Sequence, residues 1–188
     1  MNISRRVLLG ALSIITIVAI IGALVWYSTY RAKRDLEIEA ARAIVAWVFE
    51  DQPMPNYEEF AYGMPVPGTI ERGDIGYKAS ASMREADRWY VICDFLPEGV
   101  SLSDNPRIER ISDEEAKVIF DQTMTNRTDS FLWIILSRDE SDHVFTSKNR
   151  VGLVMFATYG PLGADKYELV FTRVDGQLNV TGRWAGGS

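Results

Sequence analysis

The period of the hydrophobic residues changes along the chain, and each change predicts a different element. From Val7 to Tyr27 there is no period: VLLGALSIITIVAIIGALVWY carries no charge, and 17 of its 21 residues are apolar. A helix apolar on every side suits lipid, not water. Its length would be roughly 31 Å, about the thickness of a bilayer's hydrocarbon core. Trp26, Tyr27 and Tyr30 close the run as interfacial aromatics do, and Arg31, Lys33 and Arg34 follow at once. The pattern predicts a transmembrane helix. A cleaved signal peptide shares the basic start, Arg5 and Arg6, but needs a shorter apolar core and an Ala-x-Ala site. Neither condition is met, so the segment reads as an uncleaved signal-anchor. Ser4-Arg5-Arg6-Val7-Leu8-Leu9 resembles the twin-arginine export motif, yet so apolar a core suits ordinary insertion better.

From Asp35 the period becomes helical. Leu36, Ala40, Ala43, Ile44, Trp47 and Val48 fall on one stripe, with Glu37, Glu39 and Arg42 off it, and Pro53 ends the run. No breaker separates Tyr27 from Asp35, so the two helices can be continuous. Trp47 on such a stripe reads as core. Residues 53–68 hold four of the seven prolines together with Tyr57, Phe60, Tyr62 and Met64. That mixture predicts an ordered loop laying rings against a domain, with one short turn over 56–60.

Beyond this loop the period falls to two. Strands are predicted over 75–83 and 88–96, joined by a polar turn at 84–87. In the second, Trp89, Val91, Cys93 and Phe95 share one face, and Tyr90, Ile92, Asp94 and Leu96 the other. Ser112-Asp113-Glu114-Glu115 is a capping box, followed by Ala116, Ile119, Phe120 and Met124 at helical spacing. Residues 131–136 are continuously apolar, which predicts a central strand buried on both faces. Residues 151–159, 166–174 and 177–184 alternate, and Asp175-Gly176 between the last two predicts a type I′ hairpin. Gly160-Pro161-Leu162-Gly163 predicts the turn before it. Val144 and Phe145 suit a short strand inside the polar connection 138–150, and 185–188 reads as a flexible tail.

Strands cluster late and no βαβ alternation appears. The class is therefore α+β: an N-terminal transmembrane helix, then a curved antiparallel sheet packed on an amphipathic helix. Two units follow, a tail with its signal-anchor over 1–30 and one domain over 31–188. Charge sharpens this division. Every acidic residue lies at or after Asp35, and the chain from Arg31 onward has 18 basic against 26 acidic side chains, net −8. Such a domain is no nucleic-acid ligand, because phosphate binding needs a cationic surface. The positive-inside counts, Arg5 and Arg6 against Arg31, Lys33 and Arg34, nearly balance. The short basic start favours an inner-membrane, single-pass protein with its C-terminal domain outside the cytoplasm, periplasmic or extracellular.

Candidate chemistry is sparse. One Cys and one His exclude a disulfide framework, a multi-Cys zinc site and every site that needs two imidazoles. Cys93 reads as a small buried hydrophobe. His143, among Asp139, Glu140 and Asp142, reads as a surface side chain. Asp94 is the one acid inside an apolar strand and becomes a site candidate only if it faces the core; it reads as facing out. Asp113, Glu114 and Glu115 are accounted for by the helix dipole. Asn126 and Asn179 head glycosylation sequons, which matter only in a eukaryotic secretory pathway. Neither a P-loop, a GxGxxG, a GxSxG nor an EF-hand loop is present. No catalytic, cofactor-binding or metal-ligating residue is assigned, and no cofactor is expected.

The element order over about 35–184 resembles the NTF2-like or cystatin-like fold. Leu136-Ser137-Arg138, Arg150-Val151-Gly152-Leu153-Val154-Met155-Phe156, the Gly160–Gly163 turn, Tyr167-Glu168-Leu169-Val170 and Asp175-Gly176-Gln177-Leu178-Asn179-Val180 are similar to the C-terminal meander of a group of bacterial exported proteins. Leu178 stands where that group usually has Trp. The group has no assigned activity, so the likeness implies a fold only. An anchored domain of this kind also resembles VirB8-like secretion-system subunits, whose Asn-Pro-x-Gly motif is loosely echoed at Gly160–Gly163. The leading expectation is a non-catalytic protein-interaction module of the cell envelope. It would be held in the lipid bilayer through Val7 to Tyr27 and would have a protein partner. The alternatives are a small-ligand binder or minor enzyme using an NTF2-like cone, and a VirB8-like subunit. A concave site with converging polar groups would favour the ligand binder.

Overall fold

The computed structural model describes residues 2–50, 52–59, 88–126, 132–139, 148–158 and 164–187. Helix α1 (Asn2–Phe49) runs unbroken through both predicted helices. No glycine pair or proline interrupts it between Tyr27 and Asp35, so nothing breaks the ladder there. It is the one helix among the described residues long and apolar enough to cross a membrane. Over residues 12–31 it is bare: Ile14, Ile17, Ile21 and Leu24 are all more than half exposed.

The later elements are β1 (Tyr57–Glu59), β2 (Trp89–Cys93), β3 (Ile108–Ile111), α2 (Asp113–Asn126), β4 (Leu132–Arg138), β5 (Arg150–Thr158), β6 (Ala164–Val174) and β7 (Gln177–Gly187). The strands form one sheet in the order β1-β7-β6-β5-β4-β2-β3. The α+β class stands, but the sheet is mixed, not antiparallel throughout. Strands β4 to β7 form an antiparallel meander. At the flanks β1 runs parallel to β7, and β2 runs parallel to both β3 and β4.

Two connections explain the parallel flank. The chain steps outward from β2 to β3, then back past β2 to β4. A common handedness for the two crossovers requires them to lie on opposite faces. They do: Leu96 and Leu102 of the first join the core under α1, while Ala116, Ile119 and Phe120 of α2 pack on the other face. Strand β2 is thus covered twice. Trp89, Val91 and Cys93 enter the α1 core, and Ile92 and Tyr90 enter the α2 core. Strand β4 splits the same way, Ile134 and Leu136 to one face, Trp133 and Ile135 to the other. The two-sided burial expected for this strand follows over 133–136; Phe131 lies outside the described residues.

The main core lies between α1 and the meander. Leu36, Ala40, Ile44, Val45 and Val48 of α1 meet Leu153, Met155, Tyr167, Leu169 and Phe171. Trp47 packs edge-on against Tyr167, with ring centroids 6.0 Å apart. Phe49 stacks on Trp89 at 5.3 Å. Helix α1 therefore runs antiparallel to β2, β4 and β6, and its first core residues meet the ends of β4 and β6.

Local expectations divide by range. The capping box forms: the Ser112 amide donates to Glu115 Oε2 at 2.8 Å, and the Glu115 amide donates to Ser112 Oγ at 3.2 Å. Asp175 and Gly176 both have positive φ, 51° and 80°, as a type I′ turn demands. Three expectations are corrected. Residues 57–59 are strand, not turn, because the Asn56 side chain donates to the Leu178 carbonyl and seats the segment beside β7. Residues 185–187 are not a loose tail but pair with β6. Leu96 does not follow Ile92 onto the α2 face, since β2 ends at Cys93 and the alternation ends with it. The strand 75–83, the turn 84–87, Phe60, Tyr62, Met64, His143, Val144, Phe145 and the Gly160–Gly163 turn lie outside the described residues.

Candidate functional site

Where α1 meets the sheet, two of its charged residues are drawn in opposite directions. Glu37 is 3 % exposed, although charged residues, Arg34, Asp35 and Glu39, surround it in the sequence. Arg138 at the end of β4 donates to it twice, Nε to Oε1 at 2.8 Å and Nη2 to Oε2 at 2.9 Å. The two parallel bonds match a guanidinium to a carboxylate and satisfy a charge that could not be buried alone. The Arg138 guanidinium also lies 5.5 Å over the Phe95 ring. The hydrogen bonds to Glu37 raise the pKa of Arg138 further above its usual range. Half of the Arg138 side chain remains in water, so the pair is a rim clamp more than an interior ion pair. On the other side, Glu39 is ion-paired with Arg173 near the end of β6.

Between these anchors α1 presents Asp35, Ile38, Glu39 and Arg42, the i, i+3, i+4, i+7 row that flanks its core stripe, with Ile38 half-buried against the core. Gly99, Val100 and Ser101 of the β2–β3 crossover stand opposite. Arg173 completes the lining, and together they bound a groove of about 730 Å3. The Arg42 guanidinium fixes the crossover, with Nε and Nη2 both donating to the Ser101 carbonyl at 3.0 Å. Further along, Ser103 Oγ donates to Glu50. Arg110 of β3 donates to the carbonyls of Cys93, Leu96 and Pro97, each at 2.6 Å, and so holds the start of the same loop. The groove wall is a loop tied at both ends.

The groove charges balance, with two carboxylates and two guanidiniums. Glu39 and Arg173 neutralise each other. Asp35 is exposed and makes no hydrogen bond or ion pair to the described residues, and Arg42 Nη1 has none either. Ile38 and Val100 supply an apolar middle. The space is large enough for a small organic ligand, and it lies along the flank of α1, beside the β2–β3 crossover. It is not the cone between helix and sheet, which Trp47, Tyr167 and Phe171 fill.

The sequence candidates fall elsewhere. Cys93 is buried and free, and loss of water pushes its thiol up to about 11 against the opposing pull of Arg110. A thiol so held is not a nucleophile near neutral pH. Asp94 is exposed just past β2. Its carboxyl is raised above the usual range, first by partial loss of water, then by the charge and hydrogen bond of Asp113 and the charge of Glu114. Glu115 is lowered by the bonds it accepts from Ser112. Among the described residues no group of three His, Cys, Asp or Glu side chains is placed to hold a metal ion. Sequence reasoning missed both Glu37 and the groove. The available signal for Glu37 was its place at the head of a row with Ala41, Ile44 and Val48, all buried. Compared with family models, curated proteins and solved structures, the chain matches none.

Proposed function

We propose that this is a single-pass membrane protein of the cell envelope that acts by binding and not by bond chemistry. Residues 7–27 lie in the inner membrane, and the α+β domain stands on the extracytoplasmic side. The observation that carries the reading is helix α1: one unbroken helix, bare on all sides over residues 12–27 and buried along one stripe from Leu36 on. Water does not support the first half; lipid does. An NTF2-like or cystatin-like arrangement belongs to the same reading, and α1 lying along one face of the sheet supports it. A protein partner in the envelope is the leading occupant. A small ligand is the second reading, favoured by the groove, where charged groups of both signs converge beside an apolar middle.

A pair of full-length fusions tests the placement. A C-terminal alkaline phosphatase should be active and a C-terminal GFP dark, with the chain resisting carbonate extraction. A bright GFP fusion with inactive phosphatase would mean that Arg31, Lys33 and Arg34 set the orientation. Release by carbonate would remove the anchor altogether.

A further inference from the structure

The groove between the flank of α1 and the β2–β3 crossover has a polarity that selects among ligands. Asp35 and Arg42 lie seven residues apart on one helix, which separates them by about 10 Å along its axis. Asp35 stands at one end with its carboxylate unengaged by the described residues. Arg42 stands at the other, held by the Ser101 carbonyl through Nε and Nη2, with Nη1 open. Between them the walls are Ile38 and Val100. The remaining charges, Glu39 and Arg173, are spent on each other, so they offer no net field to a ligand.

We propose that this groove binds a short peptide with free termini, its ammonium group on Asp35 and its terminal carboxylate on Arg42. The spacing sets the length. An extended chain covers about 3.3–3.6 Å per residue, so three residues bring their terminal charges to about 10 Å. The central side chain of such a peptide falls against Ile38 and Val100 and should be aliphatic. A net-neutral lining discriminates against ligands of one charge sign, because either would leave an end group facing a like charge. A zwitterion with closer charges, such as phosphoethanolamine, cannot reach both ends. The fixed loop makes the site largely preformed: Arg110 and Arg42 hold its wall before any ligand arrives, which lowers the ordering cost of binding. This inference rests on the second reading above, a small ligand in the groove, and not on the compartment, so the fusion experiment and a titration fail independently.

The test is calorimetric titration of the full chain, in detergent or nanodiscs, with alanyl-leucyl-alanine. Four relatives serve as comparisons: the N-acetylated peptide, the C-amidated peptide, the dipeptide alanyl-alanine and phosphoethanolamine. Saturable binding is expected, weakened about tenfold by capping either end, as loss of one charge-assisted contact should do. Asp35→Asn should abolish the penalty for N-acetylation and leave that for C-amidation; Arg42→Gln should do the converse. Asp35 has no described partner, so its substitution keeps the fold and the thermal transition unchanged. Absence of saturable binding at millimolar peptide overturns the proposal. So does equal binding of free and capped peptides, or tighter binding of phosphoethanolamine than of the tripeptide.

Discussion

Residues 12–27 and residues 36–49 belong to the same helix and follow opposite rules. In the first stretch Ile14, Ile17, Ile21 and Leu24 are between 55 % and 65 % exposed, with no sheltered side. In the second, Leu36, Ala40, Ile44, Val45 and Val48 are at 1 % or less, while Asp35, Glu39 and Arg42 stay outside the core. Backbone hydrogen bonding is the same in both. What differs, on the function proposed above, is the surroundings each half is built for. A helix surrounded by lipid needs no period, because every direction is apolar. A helix lying on a sheet needs a 3.6-residue stripe, because only one direction is. The change falls where Arg31, Lys33 and Arg34 give way to Asp35, and no hinge residue marks it.

Matched substitutions in the two halves should sharpen the contrast most. Ile44→Ala opens a cavity in the main core and should cost about 2–5 kcal/mol of domain stability. Ile21→Ala removes the same atoms from the bare half and should shift domain unfolding by less than about 0.5 kcal/mol. Chemical denaturation of the two full-length variants, followed by tryptophan fluorescence, measures both. Equal losses would break the comparison.

The junction itself comes next. Arg138→Leu leaves Glu37 buried without its guanidinium. Full burial of such an orphan costs about 3–5 kcal/mol, and because Arg138 is half in water about 2 kcal/mol is expected here. The double variant Glu37→Gln with Arg138→Leu should recover part of that loss. If the single variant unfolds no earlier than the parent, the clamp does not hold α1 to β4.

Cys93 gives a smaller effect. Cys93→Ser places a hydroxyl in an apolar setting and should cost about 1–3 kcal/mol, and Cys93→Ala less. The thiol's pKa is raised from 9.0 to about 11, so the native state keeps a proton that the unfolded chain releases. Any stability drawn from that thiol is therefore present below pH 9.0 and lost as pH rises toward about 11. Alkylation by iodoacetamide at neutral pH should proceed only as fast as the chain unfolds. Rapid labelling of the folded chain would place Cys93 outside the core and shift the register of β2.

Local signals were legible, and long-range partnerships were not. The continuous helix, the Ser112–Glu115 cap, the Asp175-Gly176 turn and the alternation in β5, β6 and β7 each depend on residues a few positions apart. Strand β3, Ile-Glu-Arg-Ile, was missed because two central charges hide its period, and only parallel pairing with β2 makes it extended. Strand β1 pairs with β7 more than a hundred residues away, so its sequence, Tyr-Glu-Glu, carries no trace of the partner. From local pattern alone the flanks read as antiparallel or as loop, and the mixed sheet arises only from these distant pairings. Glu37 looked like a solvent residue because its partner, Arg138, is 101 positions distant. The groove was invisible for the same reason: its walls come from α1, the crossover and β6.

The central proposal is that one continuous helix serves two solvents. Single spin labels placed in turn at positions 12–49 of the full chain, reconstituted in bilayers, test it most directly through accessibility to oxygen and to a polar nickel chelate. The account predicts high oxygen and low nickel access without a period over 12–27. It then predicts a 3.6-residue oscillation over 36–49, with positions 36, 40, 44 and 48 closed to both reagents. Nickel access throughout 12–27, or a stretch of loose, non-helical label motion between 28 and 35, would contradict it.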